Sequence, residues 1–215
     1  MSNVKFNMRT IFLLIAFWIG CALLYPKLPT QVPIHWNIHG EVDGYAHKAM
    51  TAFIMPLLPL FIYVLMTATA KIDPRHKNYE KFVGSYVKIR MALVLMMVGI
   101  VLLTEVSALG YEVNIDLIIR IMLPILFIYL GNFMGKIRHN YFIGIRTPWT
   151  LANEEVWVKT HRLGSKLMVA GSVIALAGAF FTPTVGFIIL MSGVLFPVLI
   201  STVYSYLLFS QLVKR

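Results

Sequence analysis

The sequence is short of charge. Only 13% of its 215 residues are Asp, Glu, Lys or Arg, against about 25% in a soluble domain, while 59% are hydrophobic. Acidic residues are the scarcest: nine against nineteen basic ones, for a net charge of +10. In a soluble chain such a balance would raise nucleic acid as a partner. Here the basic residues lie between long apolar runs, so membrane orientation accounts for them, and no direct nucleic-acid contact is expected. There is one cysteine, Cys21, inside an apolar run. That excludes an intramolecular disulfide and says nothing of redox compartment. A nucleophile elbow, an HExxH helix, a CxxC pair and a glycine-rich phosphate loop are all missing. The expectation is therefore no enzyme, no cofactor and no metal. No cleavable signal peptide is expected either, because Tyr25-Pro26-Lys27-Leu28-Pro29, not a small-residue site, follows the first apolar run.

What the chain has in quantity is apolar run. Mean hydropathy is +0.77, and six segments stand out, near 10–25, 50–70, 91–110, 117–135, 167–181 and 185–208. A spanning helix takes about 20 residues. The first and fifth segments are short, but Arg9 and Lys166 can carry their charges outward and lengthen the span. None of the six alternates with period two, so strands are not expected in them. The fold class predicted is an all-α integral membrane protein, a bundle of six transmembrane helices in the lipid bilayer of a cell membrane.

Orientation follows from Lys and Arg placement. The N-terminus, the 71–90 and 136–166 segments and the C-terminus carry sixteen of these residues, including Arg215; the opposite side keeps three, Lys27, Lys48 and Arg120. Both termini are expected to be cytoplasmic. The chain divides into a two-helix unit, 1–90, with its outer loop 26–49, and a four-helix unit, 91–215, with its inner loop 136–166.

Pro56, Pro59, Pro124 and Pro197 interrupt spans and are expected to kink them. Ala170, Gly171, Ala175, Ala177, Gly178 and Ala179 give the fifth span a small-residue surface for close helix approach. Two ionisable residues, Glu105 and Arg120, fall near the outer ends of the third and fourth spans. A charge at membrane depth is costly unless paired, so they are expected to form a structural ion pair.

Two polar stretches carry the candidate sites. In the outer loop, Pro26, Pro29 and Pro33 lead into His35, Trp36, Asn37, His39, Glu41 and Asp43, with Gly40 and Gly44 as turn residues. Three readings are open: a metal cage using His35, His39, Glu41, Asp43 and His47, an interfacial cap held by hydrogen bonds and aromatics, or a surface that meets something from outside. In the inner loop, Gly144 to Trp149 reads as a turn. Asn153 is the expected cap of a helix that starts with Glu154 and Glu155, carries a Glu155–Lys159 pair, and places Trp157 and His161 on one face before entering the fifth span. That helix suits headgroups or a cytoplasmic docking partner.

The two stretches also carry a resemblance. Leu28-Pro29, Val32-Pro33-Ile34-His35-Trp36-Asn37, Gly40-Glu41-Val42-Asp43-Gly44-Tyr45 and Lys48 resemble a short membrane domain of unknown function (DUF1648-like) found at the N-terminus of SdpI-type proteins. Asn140 to Leu151, with its Gly144-Ile145-Arg146-Thr147-Pro148-Trp149-Thr150 core, then Glu154-Glu155-Val156-Trp157 and Lys159-Thr160-His161-Arg162, resemble the SdpI signature itself. Ala152 and Ser165 depart from it, where serine and glycine are usual. The resemblance implies an immunity protein of Bacillus-type bacteria that protects the producer from a secreted killing peptide of the SdpC type. It further implies a receptor that, with toxin bound, holds a cytoplasmic SdpR-type repressor at the membrane.

On that reading, toxin recognition falls to His35, Trp36, Asn37, Glu41 and Asp43, and signalling to Arg146, Thr147, Trp149, Trp157, His161 and Arg162. A small transporter or channel using Glu105 and Arg120 is the alternative, against which the span centres are almost wholly apolar. A membrane enzyme using His161 with Glu154 or Glu155 is the third.

Overall fold

The computed structural model describes residues 4–214; Arg215, counted among the basic C-terminal residues, lies outside them. Among the described residues six helical spans are long and apolar enough to cross a membrane: Met8–Lys27, Met50–Ile72, His76–Ala108, Ile115–Met134, Glu154–Phe180 and Pro183–Val213. Their regular cores are α1 (Met8–Leu24), α2 (Leu58–Ile72), α3 (Val83–Ala108), α4 (Ile115–Met134), α6 (Glu154–Ala177) and α7 (Pro183–Val213), with one extra turn, α5 (Pro148–Ala152), between α4 and α6. Many large apolar side chains face outward, Phe12, Leu13, Phe61, Leu95, Ile125 and Leu199 among them. For a water-soluble protein that would be an aggregating surface; for a protein in lipid it is the face that meets acyl chains.

The helical assignment breaks at one proline cluster, ahead of α2. Before α2 the chain runs as a wide π segment, Met50–Ile54, and then a tight 3-10 turn, Met55–Leu57. Pro56 has no N–H to give to the preceding turn. Near this break the Phe53 carbonyl accepts the Trp18 indole N–H of α1 at 2.8 Å. Pro124 and Pro197 lie inside continuous helices.

The small residues of the fifth span do what their size allows. Gly171 of α6 and Gly178, just past its end, lie directly against the backbones of Gly193 and Gly186 of α7, and a Cβ at any of the four would collide with the facing chain.

The outer loop is regular structure. It folds as an antiparallel hairpin, β1 (Gln31–Trp36) and β2 (Val42–His47). Gln31 pairs with His47 and Val32 with Ala46, and the register shifts beyond Pro33. Val32 is fully buried and packs with Leu28, Ala52 and Ala108. Two short strands joined across a five-residue turn leave too little periodicity to stand out beside 20-residue apolar runs, and Pro33 marks an edge strand.

The other end of the bundle is closed by a mixed core. Val4, Met66, Tyr79, Phe82 and Tyr86 from the first part of the chain pack with Ile137 and Trp157 from the second. That end carries Val4 and the end of α7; the hairpin lies at the opposite one.

Candidate functional site

At the hairpin end, Asn37 builds the turn. Its Oδ1 accepts the N–H groups of His39 at 2.9 Å and Glu41 at 3.1 Å, and its Nδ2 donates to Glu41 Oε2 at 3.1 Å. Gly40 takes a positive φ of 81°, which a side chain would strain, and a Cβ there would come within 3.3 Å of the Asp116 side chain at the start of α4. His39 Nδ1 meets the Thr184 hydroxyl at 3.0 Å, tying the tip to α7. His35 and Asp43 face each other across the strands at 2.5 Å, both substantially exposed, and Trp36 is half-buried. All five candidate recognition residues, His35, Trp36, Asn37, Glu41 and Asp43, are thus gathered on one hairpin. The imagined metal cage is not assembled: His35 pairs with Asp43, His39 with Thr184, Glu41 with Asn37, and His47 Nδ1 accepts the Ala49 N–H. Among the described residues no group of three or more His, Cys, Asp or Glu side chains could hold a metal ion.

The expected Glu105–Arg120 ion pair is not formed. Arg120 pairs with Asp116, one helical turn earlier on the same face of α4. It also donates to the carbonyls of Gly178 at 2.6 Å and Phe181 at 3.0 Å. Its guanidinium therefore closes the last turn of the α6 span, where backbone acceptors have no helical partner. An i,i+4 carboxylate is nearer than one on a neighbouring helix, and Asp116 falls outside the 117–135 apolar segment because α4 begins two residues earlier, at Ile115. Glu105 is buried, and neither carboxylate oxygen has a hydrogen-bond partner among the described residues.

At the other end the signature stretch forms a buried polar plug. The expected Asn153 cap is present, accepting from Glu155 N at 2.8 Å and Val156 N at 3.1 Å, and Lys159 pairs with Glu155 at 2.6 Å. Trp157 and His161 stack, ring centroids 4.1 Å apart, and both are fully buried. The Trp157 indole N–H donates to the Ile137 carbonyl at 2.9 Å. His161 Nδ1 donates to the Trp157 carbonyl at 2.8 Å, and Nε2 accepts the Ile145 N–H at 3.0 Å. Only the neutral Nδ1–H tautomer makes both bonds. Gly144 passes over this ring with φ 107°, and a Cβ there would overlap Nε2. Thr147 caps α5 in a reciprocal pair with Thr150 and reaches the Ser205 hydroxyl of α7 at 3.0 Å.

Of the six residues expected to signal, Thr147, Trp157 and His161 are therefore interior, and Trp149 is half-buried against Tyr206. Arg146 and Arg162 are exposed. With them an exposed basic set, Lys77, Lys81, Lys136 and Arg138, lies at the same end.

The plug also uses residues outside the candidate set. Asp73, at the end of α2, accepts the Tyr79 hydroxyl at 3.0 Å and the Tyr141 N–H at 2.9 Å. Asn140 Oδ1 accepts the N–H groups of Phe142 and Ile143, both at 2.8 Å. His139 donates through Nε2 to the Leu151 carbonyl at 3.1 Å and packs on Trp157. Burial and the nearby Arg75 cation push its pKa down, against an opposing pull from the Leu151 carbonyl. An Asp directly after an apolar helix was the available signal for Asp73, but it reads equally well as a solvated cap.

Comparison with known proteins places both ends. Residues 136–205, which include the plug, match the SdpI/YfhL protein family. Residues 11–60, which include the hairpin, match a domain of unknown function, DUF1648. The immunity protein SdpI of Bacillus subtilis (strain 168) is 34% identical over 210 residues, 97% of this chain and 98% of that protein. No solved structure matches the chain.

Proposed function

The chain belongs to the SdpI/YfhL protein family as a multi-pass cell-membrane protein, and on that premise we propose that it is an immunity protein protecting its cell from a secreted killing peptide. The near full-length similarity to an immunity protein carries this reading. In finer terms, the peptide is of the SdpC type and is met by the hairpin, while the opposite end holds an SdpR-type repressor at the membrane. The charge bias, with sixteen Lys and Arg on the termini side, supports placing that end in the cytoplasm and the hairpin outside. The 1–90 and 91–215 units then divide the work, one presenting the hairpin and the other the plug. Because Thr147, Trp157 and His161 are interior, docking falls to the exposed Arg146 and Arg162, and the buried three hold the loop that presents them. No chemical step is part of the proposal.

Expression in toxin-sensitive cells that lack their own immunity gene tests it. Cells carrying the chain should survive an SdpC-type peptide that kills cells carrying an empty vector. Equal killing at normal membrane levels would refute the immunity reading.

A further inference from the structure

Between the hairpin and the membrane helices lies a cleft of about 550 Å³, inside the roughly 300–1,000 Å³ range of ligand sites. Its walls are apolar: Ile34 of β1, Leu103 of α3, Ile119 and Leu123 of α4, Leu190 and Met191 of α7. Polar groups sit at its edge: His35, Asp43, Asp116 and Arg120. We propose that this cleft seats an apolar segment of the killing peptide, with a basic group of the peptide held at the Asp43 carboxylate on the rim. The proposal rests on the hairpin being the recognition element, and it extends recognition to α4 and α7.

Three observations carry it. The first is shape, an apolar recess roofed by the hairpin whose residues the family resemblance singles out. The second is charge. Arg120 is already spent on Asp116 and two carbonyls, so it offers no free cation. Asp116 is spent on Arg120 in the same way, which leaves Asp43, exposed and bonded to the His35 ring, as the carboxylate the edge offers. A phospholipid would bring its phosphate against that carboxylate, with no free cation to meet it, whereas a peptide with a basic residue beside its apolar stretch is complementary. The third is construction. The roof comes from the 11–60 match, one wall from the 136–205 match, and the rest from α3 and α4 between them. The cleft exists only in the assembled chain, and the hairpin tip is tied to α7 at His39.

The test uses the full chain in phosphatidylcholine nanodiscs and a purified SdpC-type peptide as probe. Ile119→Trp and Met191→Trp fill the cleft from two different helices; Ile125→Trp, on the lipid-facing side of α4 and 53% exposed, is the matched control. Both filled variants should bind the peptide at least roughly tenfold more weakly and lose protection, with normal membrane levels, while the control keeps both. Asp43→Lys, at an exposed position, should weaken binding more at low salt than at high salt. Unchanged affinity in both filled variants overturns the proposal. So does native mass spectrometry showing a phospholipid that leaves the Ile119→Trp protein while peptide affinity stays. If the filled variants do not fold, Asp43→Lys decides, and wild-type affinity at low salt overturns the proposal. Wild-type protein that neither binds nor protects brings down the immunity reading and the cleft with it; protection intact in the filled variants brings down the cleft alone.

Discussion

Gly144 shows how little freedom a single residue in the signature has. Its φ of 107° and the His161 ring beneath it both exclude a side chain. Gly144→Ala should cost about 1–3 kcal/mol, read as a lowered thermal midpoint in detergent; an unchanged midpoint would mean that the turn relaxes freely. His139 gives a pH dependence with a definite sign. Its pKa is lowered in the folded protein from an ordinary value of 6.5, so the unfolded chain takes up the proton first. The stabilisation is complete above that ordinary value and is lost as pH falls below it. The thermal midpoint should therefore drop between about pH 8 and about pH 5, and His139→Gln should flatten part of that drop. Equal slopes would rule His139 out as a contributor. At this scale the sequence was legible where a residue acts on its near neighbours, as with the Asn153 cap and the Glu155–Lys159 pair. It was not legible where partners are far apart. The Asp73–Tyr141 bond joins residues 68 positions apart, and Arg120 turned to a carboxylate on its own helix because that one was four residues away.

Helices α6 and α7 are held together by the absence of side chains. Without a hydrophobic drive between helices in lipid, close packing is what the backbones can gain, and Gly171 against Gly193 brings them to contact distance. Gly171→Leu should separate the pair and disturb the Thr147–Ser205 link at its far end. The expected readout is a loss of folded, membrane-inserted protein far larger than for Gly84→Leu, where a Cβ meets nothing. Similar losses at both sites would show that the close approach is not what holds these helices. Apolar runs of 20 residues announce spans by length alone, so the six were visible in advance, and so was the small-residue surface of α6. The hairpin was not: its strands are six residues each, and Pro33 and Gly44 break the alternation by which strands are recognised. Opposite His35, Gly44 leaves no room for a side chain, a cross-strand fact that no linear pattern displays.

As a whole the molecule has two worked ends, a hairpin carrying exposed carboxylates and a buried plug that fixes two exposed arginines, joined by helices whose outward surface is apolar. The candidate residues were legible as two clusters, but their division into interior supports and exposed contacts was not, because Trp157, His161 and Thr147 are as polar or aromatic as surface residues and only the fold shows them buried. That division makes the two ends separable. The most direct measurement is survival together with repressor location, in cells that carry an SdpR-type repressor and lack their own immunity gene, exposed to an SdpC-type peptide. Wild type should protect and draw the repressor to the membrane. Trp36→Ala/Asp43→Ala should lose both, and Arg146→Ala/Arg162→Ala should still protect while the repressor stays soluble, all at normal membrane levels. Full protection by the hairpin variant, or repressor held at the membrane by the arginine variant, would contradict the assignment of recognition to one end and docking to the other.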